Sequence, residues 1–150
     1  MKSTWIKNAL IVNEGETYKG SVVISGETIA EVIKGDNLPN TPYNETIDAN
    51  ECYLLPGVID DHVHFRDPGL THKADIHTES MAAAAGGVTS YMDMPNTNPQ
   101  TTTLEALENK FKDAATKSIV NYSFYFGATN NNTDLLPLLN KKKVCGVKLF

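Results

Sequence analysis

Residues 54–69 read LLPGVIDDHVHFRDPG, and this stretch decides how the rest of the chain is interpreted. A Pro-Gly pair near its start and an Asp-Pro-Gly triplet at its end are turn signals, so the apolar run between them predicts a strand over residues 56–65. Before this stretch the sequence has the pattern of short β-strands separated by polar turns, whereas after it strand and helix patterns alternate. The stretch therefore marks the boundary between two kinds of fold.

Four polar residues share one face of the predicted strand, because strand side chains alternate between two faces: Asp60, His62, His64 and Arg66. At about 3.3 Å rise per residue, the Cα atoms of the two histidines lie about 6.6 Å apart. Both imidazoles can then bind one metal ion at about 2.1 Å. A chance His-x-His pair is the alternative. The position at the strand's C-terminal end favours a metal site, since enzymes with parallel strands carry their chemistry there.

Strand and helix patterns alternate after residue 54. Strands are predicted at 56–65, 88–94, 120–128 and 144–150, and helices at 74–85, 103–117 and 133–142. This rhythm predicts an α/β fold, with a parallel sheet covered by helices. In the second helix an amphipathic stripe predicts the buried face, and Thr103 stands at the N-cap position. The stripe consists of Leu104, Leu107, Phe111 and Ala115.

The segment before this alternating region, residues 1–53, has short apolar runs at about ten-residue spacing, which predicts a small antiparallel sheet or sandwich. Within this segment, residues 37–44 contain two prolines and are predicted to form a loop. Nothing in this segment forms a cluster of titratable residues, so we expect a structural role for it. The predicted domains are therefore residues 1–53 and residues 54–150.

The composition is that of an ordinary globular protein: 150 residues, 41% hydrophobic and 21% charged, with a formal net charge of −5. The acidic balance, with no basic run beyond residues 141–143, argues against a nucleic-acid or anionic-membrane partner. No apolar segment is long enough for a signal peptide or a membrane span, which predicts a cytoplasmic protein. Cys52 and Cys145 form no Cys-x-x-Cys motif, and we expect buried thiols.

Two further residues are candidates for the same site. Asn96 follows Pro95, which cannot continue a central strand, so we expect Asn96 at the same rim as His64. The alternative is an ordinary turn residue. Lys148 lies among apolar residues of the last predicted strand, where a buried, unpaired ammonium is costly. It therefore needs a partner or a chemical change, unless it is exposed at the strand end.

The chain closes within the apolar run 144–150, with no turn or polar tail. A chain rarely ends inside a core strand, because the next connection would be missing. We therefore expect these residues to be the N-terminal portion of a longer protein.

Several motifs together resemble the dihydroorotases of the cyclic amidohydrolase superfamily. The matching motifs are residues 56–69, the Gly-Gly-Val-Thr run at 86–89, the Met-Pro-Asn-Thr run at 94–97 and the Gly-Val-Lys-Leu-Phe run at 146–150. The resemblance implies the first half of a TIM-type (β/α)8 metal-dependent hydrolase barrel, preceded by part of a small β-sandwich. It also implies that the catalytic aspartate and two more metal-binding histidines lie beyond residue 150.

The resemblance assigns roles to the candidate residues. His62 and His64 are similar to ligands of one zinc ion, and Lys148 to a lysine that, once carboxylated by carbon dioxide, bridges two zinc ions. Carboxylation would also convert a buried cation into an anionic oxygen ligand. Arg66 and Asn96 resemble residues that hold the substrate's α-carboxylate, a task that suits a guanidinium because it donates two parallel hydrogen bonds. Asp60 is a candidate partner that orients a ligand imidazole.

The implied reaction is the reversible cyclisation of N-carbamoyl-L-aspartate to L-dihydroorotate in pyrimidine biosynthesis, and the resemblance also admits a homodimer. Two alternatives stay open. The first is a dihydropyrimidinase or allantoinase, although the run from Arg66 to Gly69 and the run at 94–97 favour a substrate that carries a carboxylate. The second is a non-catalytic scaffold protein, which would typically have lost metal ligands.

Overall fold

The structure, a computed structural model, describes residues 2–149 and divides into two compact units, Met1–Pro56 and Gly57–Phe150. The last residue of the predicted strand at 144–150 lies outside the described residues.

The first unit is one five-stranded sheet. Its strands are β1 (Ser3–Asn13), β2 (Glu16–Ser25), β3 (Thr28–Lys34), β4 (Glu45–Asp48) and β5 (Tyr53–Leu54). The order is β3-β2-β1-β4, and β5 also pairs with β1. The pairs β1–β2 and β2–β3 are antiparallel, as the short turns between them require. The prediction of an antiparallel sheet is wrong for β4 and β5, which run parallel to β1 because the loop after β3 carries the chain back across the sheet.

Apolar residues on the β1–β2 ladder form the core of the first unit. Ala9, Ile11 and Val22 pack together, with Tyr18 and Leu54 against them. This unit therefore has a small core of its own.

The second unit alternates strands with helical segments. Its elements are β6 (Val58–Val63), α1 (Ile76–Ala85), β7 (Val88–Asp93), α2 (Leu104–Lys117), β8 (Asn121–Gly127), a 3-10 helix (Thr133–Leu138) and β9 (Val144–Lys148). All four strands are parallel, in the order β6-β7-β8-β9. The predicted parallel sheet is thus present as a partial half-barrel, and the C-terminal ends of its strands lie at one edge.

Side-chain caps fix where the two α-helices begin. The Thr103 side chain accepts a hydrogen bond from the Ala106 N–H at 3.1 Å, which confirms the expected N-cap of α2. Asp75 caps α1 in the same way through the Thr78 N–H. The third predicted α-helix, at 133–142, is wrong: only the 3-10 helix forms, with Pro137 inside it, because proline has no N–H to donate.

An aromatic core lies between the parallel sheet and its helices. Its fully buried members are Ile76, Tyr91, Ala114, Phe124 and Phe126, and Phe65 and Leu107 complete it. The buried face of α2 differs from the predicted stripe: Leu107, Lys110 and Ala114 are buried, whereas Ala115 is exposed. The stripe is displaced because the helix also buries a lysine, which a search for apolar periodicity passes over.

The two cysteines are less buried than expected. Cys52 is exposed and Cys145 is half-buried. Among residues 2–149, no helix is long and apolar enough to cross a membrane.

Candidate functional site

The candidate site lies where β6 and β7 end, on two segments that we call the first rim loop (residues 64–75) and the second rim loop (residues 94–103). The Met94 N–H donates to the Val63 carbonyl at 3.0 Å, and the Asn98 N–H donates to the Pro68 carbonyl at 3.0 Å. Gly69, with φ of +80°, packs so closely that an added Cβ would collide with the Asn98 carbonyl oxygen. The two rim loops are therefore in contact where Pro68 and Gly69 meet Asn98.

The two histidines of the His-x-His motif lie together at this edge. His62 is the penultimate residue of β6 and His64 follows the strand, and both are exposed. Their ring centroids are 5.3 Å apart. Phe65 is buried in the aromatic core, so the alternation of faces continues past the end of the ladder. Two imidazoles at this separation can bind a common ion.

Asn96 contacts the second histidine directly. His64 Nδ1 and Asn96 Oδ1 are 2.9 Å apart. An amide oxygen only accepts hydrogen bonds, so Nδ1–H is the donor in this contact, and in the neutral ring Nε2 then keeps its lone pair. This is the tautomer that a histidine needs to bind a metal through Nε2. The structure thus gives Asn96 an orienting contact that the sequence did not predict.

His62 and His64 fit a metal ion as part of its ligand set. A catalytic zinc ion takes three protein ligands and a water or substrate. His62 and His64 supply two nitrogen donors of the right kind. Within residues 2–149, no group of three or more His, Cys, Asp and Glu side chains could hold a metal ion. A complete centre requires further ligands.

Arg66 and Lys148 are placed by backbone contacts. Arg66 is half-buried in the first rim loop with φ of +64°, and its carbonyl accepts from the Leu70 N–H at 3.0 Å. Lys148 is the last residue of β9, half-buried, and its carbonyl accepts from the Ala128 N–H at 2.8 Å. Within the described part of the chain, neither side chain forms a hydrogen bond or ion pair, so the structure does not join them to the histidines by a contact.

Asp60 has a different contact from the one expected. Its Oδ1 accepts a hydrogen bond from the backbone N–H of His62 at 3.2 Å. This carboxylate oxygen therefore holds the strand backbone rather than an imidazole.

Two buried charges behind the site were missed by the sequence reasoning. Asp93, the last residue of β7, is fully buried, and its Oδ2 lies 2.6 Å from Nζ of Lys110 on α2. Burial lowers the pKa of Lys110, and the Asp93 carboxylate opposes that shift. The available signal was the same as for Lys148: an acidic residue within the apolar strand pattern of β7 needs a partner.

A second ion pair anchors the first rim loop. The buried Asp67 carboxylate accepts from Lys117 Nζ at 2.9 Å and from the Ile76 N–H at 3.4 Å. The hydrogen bond to Asp67 raises the pKa of Lys117. The loop is thus held to the start of α1 and the end of α2.

Comparison with known proteins yields a consistent group of relatives. The family model described as "Dihydro-orotase-like" matches residues 52–141. An allantoinase from Deinococcus radiodurans is 38% identical over 142 residues, 94% of this chain and 31% of that protein. A dihydroorotase from Lactobacillus johnsonii is 38% identical over 136 residues, 90% of this chain and 31% of that protein.

Solved structures give the same grouping. The L-hydantoinase (dihydropyrimidinase) from Arthrobacter aurescens matches with a TM-score of 0.89 at 28% identity, over 98% of this chain and 32% of that chain. The chain spans less than a third of the length of these relatives, which are all cyclic amidohydrolases.

Proposed function

Since the chain belongs to the dihydro-orotase-like family, we propose that it is part of a metal-dependent cyclic amidohydrolase, with dihydroorotase as its activity. In the full-length protein, β6 to β9 would form the first half of a TIM-type barrel. The first unit would contribute to a small β-sandwich. The substrate pair is N-carbamoyl-L-aspartate and L-dihydroorotate.

The observation that carries this proposal is the cluster of His62, His64 and Asn96 at the end of the parallel strands. The rings lie 5.3 Å apart, and the amide of Asn96 fixes the metal-binding tautomer of His64. Both imidazoles are exposed at the rim, where barrel enzymes bind substrate.

We assign His62 and His64 as ligands of one of two zinc ions, and Lys148, carboxylated on Nζ, as the ligand that bridges them. Bound zinc supplies an activated water and polarises a carbonyl. Carboxylation removes the positive charge of a lysine that is half-buried at the end of β9. The remaining ligands and the acid-base residue would come from the rest of the protein.

Arg66 and Asn96 hold the substrate's α-carboxylate in this proposal. The guanidinium of Arg66 has no other partner among residues 2–149, and it can donate two parallel hydrogen bonds to a carboxylate. Asn96 uses Oδ1 for His64, which leaves its Nδ2 free to donate to the same carboxylate. One amide would thus link metal binding to substrate binding.

A second candidate is a cyclic amidohydrolase that opens another ring. It is favoured by the allantoinase, which is as similar as the dihydroorotase at 38% identity, and by the L-hydantoinase fold match. Allantoin, hydantoin and dihydrouracil carry no carboxylate, so they would leave Arg66 without an anion.

The test is a substrate panel on the metal-loaded, full-length protein. We expect kcat/KM for dihydroorotate to exceed that for allantoin, hydantoin and dihydrouracil by at least about tenfold, the worth of one charged hydrogen bond. Faster turnover of any uncharged ring would replace dihydroorotase by the second candidate. Bound zinc without turnover of any of them would favour a non-catalytic role.

A further inference from the structure

Asp93 and Lys110 form a buried ion pair directly behind the rim loops. Asp93 is 0% exposed and Lys110 is 1% exposed. In the Asp93 carboxylate, Oδ2 forms the ion pair with Lys110. The other oxygen, Oδ1, accepts a hydrogen bond from the Phe65 N–H at 2.9 Å. Lys110 Nζ also donates to the Met94 carbonyl at 3.1 Å.

These contacts reach both partners of the His64–Asn96 hydrogen bond through the backbone. Phe65 directly follows His64, so its amide fixes the peptide that carries the imidazole. Met94 lies two residues before Asn96, and its own N–H donates to the Val63 carbonyl. The ion pair therefore holds the chain on either side of the candidate site.

A purely structural role does not account for this choice of residues. Two buried charges lose their hydration, and apolar side chains of similar volume often give equal or greater stability. Lys110 Nζ lies 4.7 Å from the centroid of the Phe124 ring, in an apolar core where a methionine side chain would fit. What an apolar pair cannot do is accept from the Phe65 amide and donate to the Met94 carbonyl.

We infer that Asp93 and Lys110 are positioning residues for the metal site, holding His64 and Asn96 in register through the Phe65 amide and the Met94 carbonyl. This inference rests on the proposed function, because it assigns the histidines to a metal. It adds a function for two residues that touch neither metal nor substrate.

The test compares metal retention with stability in the full-length protein loaded with Co²⁺. The variants are Asp93→Asn, which keeps an acceptor for the Phe65 amide, and the apolar double variant Asp93→Leu/Lys110→Met. Leu107→Ala is the matched control, since it alters the same helix and the same core without a polar contact. The readouts are the rate of Co²⁺ release to a chelator, the Co²⁺ absorption band and Tm.

We expect Co²⁺ release to be at least about tenfold faster in the double variant, as for other residues that orient metal ligands, with Asp93→Asn intermediate. Leu107→Ala should lower Tm without changing the release rate. The inference would be overturned if both pair variants released Co²⁺ at the parental rate. It would also be overturned if Leu107→Ala released Co²⁺ as fast as the double variant. If the double variant fails to fold, Asp93→Asn against Leu107→Ala decides in the same way.

His64→Ala separates this inference from the proposed function. Loss of Co²⁺ in His64→Ala together with parental release in the pair variants would overturn the positioning role and leave the metal site standing. A parental protein that binds no Co²⁺, or binds it equally well without His64, would overturn both.

Discussion

At the scale of single residues, His64 is where the contacts of the site converge. Its ring lies beside His62, its Nδ1 donates to Asn96, and its neighbour Phe65 is held by Asp93. Loss of any one of these contacts should therefore change the position of the same nitrogen atom, Nε2 of His64.

Replacing His62 or His64 by alanine in the full-length protein should remove at least one zinc ion and nearly all activity. The fold should persist, because both side chains are exposed. Metal content per chain and Tm, measured on the same sample, check this. His72→Ala, an exposed histidine of the first rim loop, is the control. Unchanged metal content in both variants would refute the ligand assignment.

Arg66→Ala should lower kcat/KM for dihydroorotate by at least about tenfold while leaving metal content intact, since a lost charged hydrogen bond costs about 1.5–3 kcal/mol. Steady-state kinetics on the full-length enzyme measures the effect. Lys73→Ala removes an exposed cation from the same loop and should have little effect. Unaltered dihydroorotate kinetics in Arg66→Ala would rule out its proposed role.

The sequence predicted which residues are candidates better than it predicted what they contact. His62 and His64 could be placed together because a strand has a fixed period, and the structure confirms that they are adjacent. The hydrogen bond from His64 to Asn96 spans 32 positions, and no local pattern encodes it. The sequence did not predict the Asp93–Lys110 ion pair, because a search for apolar periodicity in α2 leaves out a lysine.

At the scale of elements, the close approach of the two rim loops can be tested at Gly69. Gly69→Ala and Gly87→Ala both place a Cβ on a residue with φ near +80°, which costs about 1–2 kcal/mol for an L residue. Only at Gly69 does the Cβ also meet backbone, the Asn98 carbonyl, whereas at Gly87 nothing lies within 4 Å. The difference between the two variants therefore isolates the collision.

We expect Gly69→Ala to lower the free energy of unfolding clearly more than Gly87→Ala does, and to weaken metal retention because Asn98 and Asn96 share a loop. Urea unfolding and zinc content of the full-length variants measure this. Equal destabilisation by the two substitutions would show that the loops can separate without cost.

The Asp67–Lys117 pair should make the stability of the first rim loop depend on pH in the alkaline range. Its hydrogen bond raises the pKa of Lys117 above 10.5, so the contribution is fully present below 10.5 and is lost as the pH rises through the folded-state pKa. Lys117→Met should cost about 1–2 kcal/mol near neutral pH, because Lys117 is partly exposed while Asp67 is buried.

Urea unfolding of the full-length parent and variant across this range checks the sign. The difference between them should shrink above pH 10.5, whereas Lys112→Met, an exposed lysine of the same helix, should show no such trend. A difference that grows with pH would contradict the assignment.

Elements were predictable where the chain signals its own ends. Thr103 caps α2 as expected, and all four parallel strands occur within a few residues of the predicted ranges. The third helix fails at Pro137, whose missing N–H outweighs the helical pattern around it. The direction of β4 and β5 depends on where the preceding loop goes, which short-range patterns do not report.

At the scale of the whole molecule, the repeating strand-helix rhythm was sufficient to predict a parallel sheet in the second unit. The reaction could not be predicted in the same way, because an allantoinase and a dihydroorotase are equally similar to this chain, at 38% identity. In the proposed function that choice depends on side chains in the rim loops, above all Arg66, rather than on the sheet.

The bond from Asn98 to Pro68 and the contact of Gly69 with Asn98 also limit how ring preference could be exchanged between relatives. A donor loop grafted alone after β6 would meet a host loop after β7 that does not fit its backbone. Chimeras of this family should therefore tolerate residues 64–75 and 94–103 as a joint transplant and reject either as a single one. The unit exchanged for substrate choice would then be two segments that α1 and β7 separate along the chain.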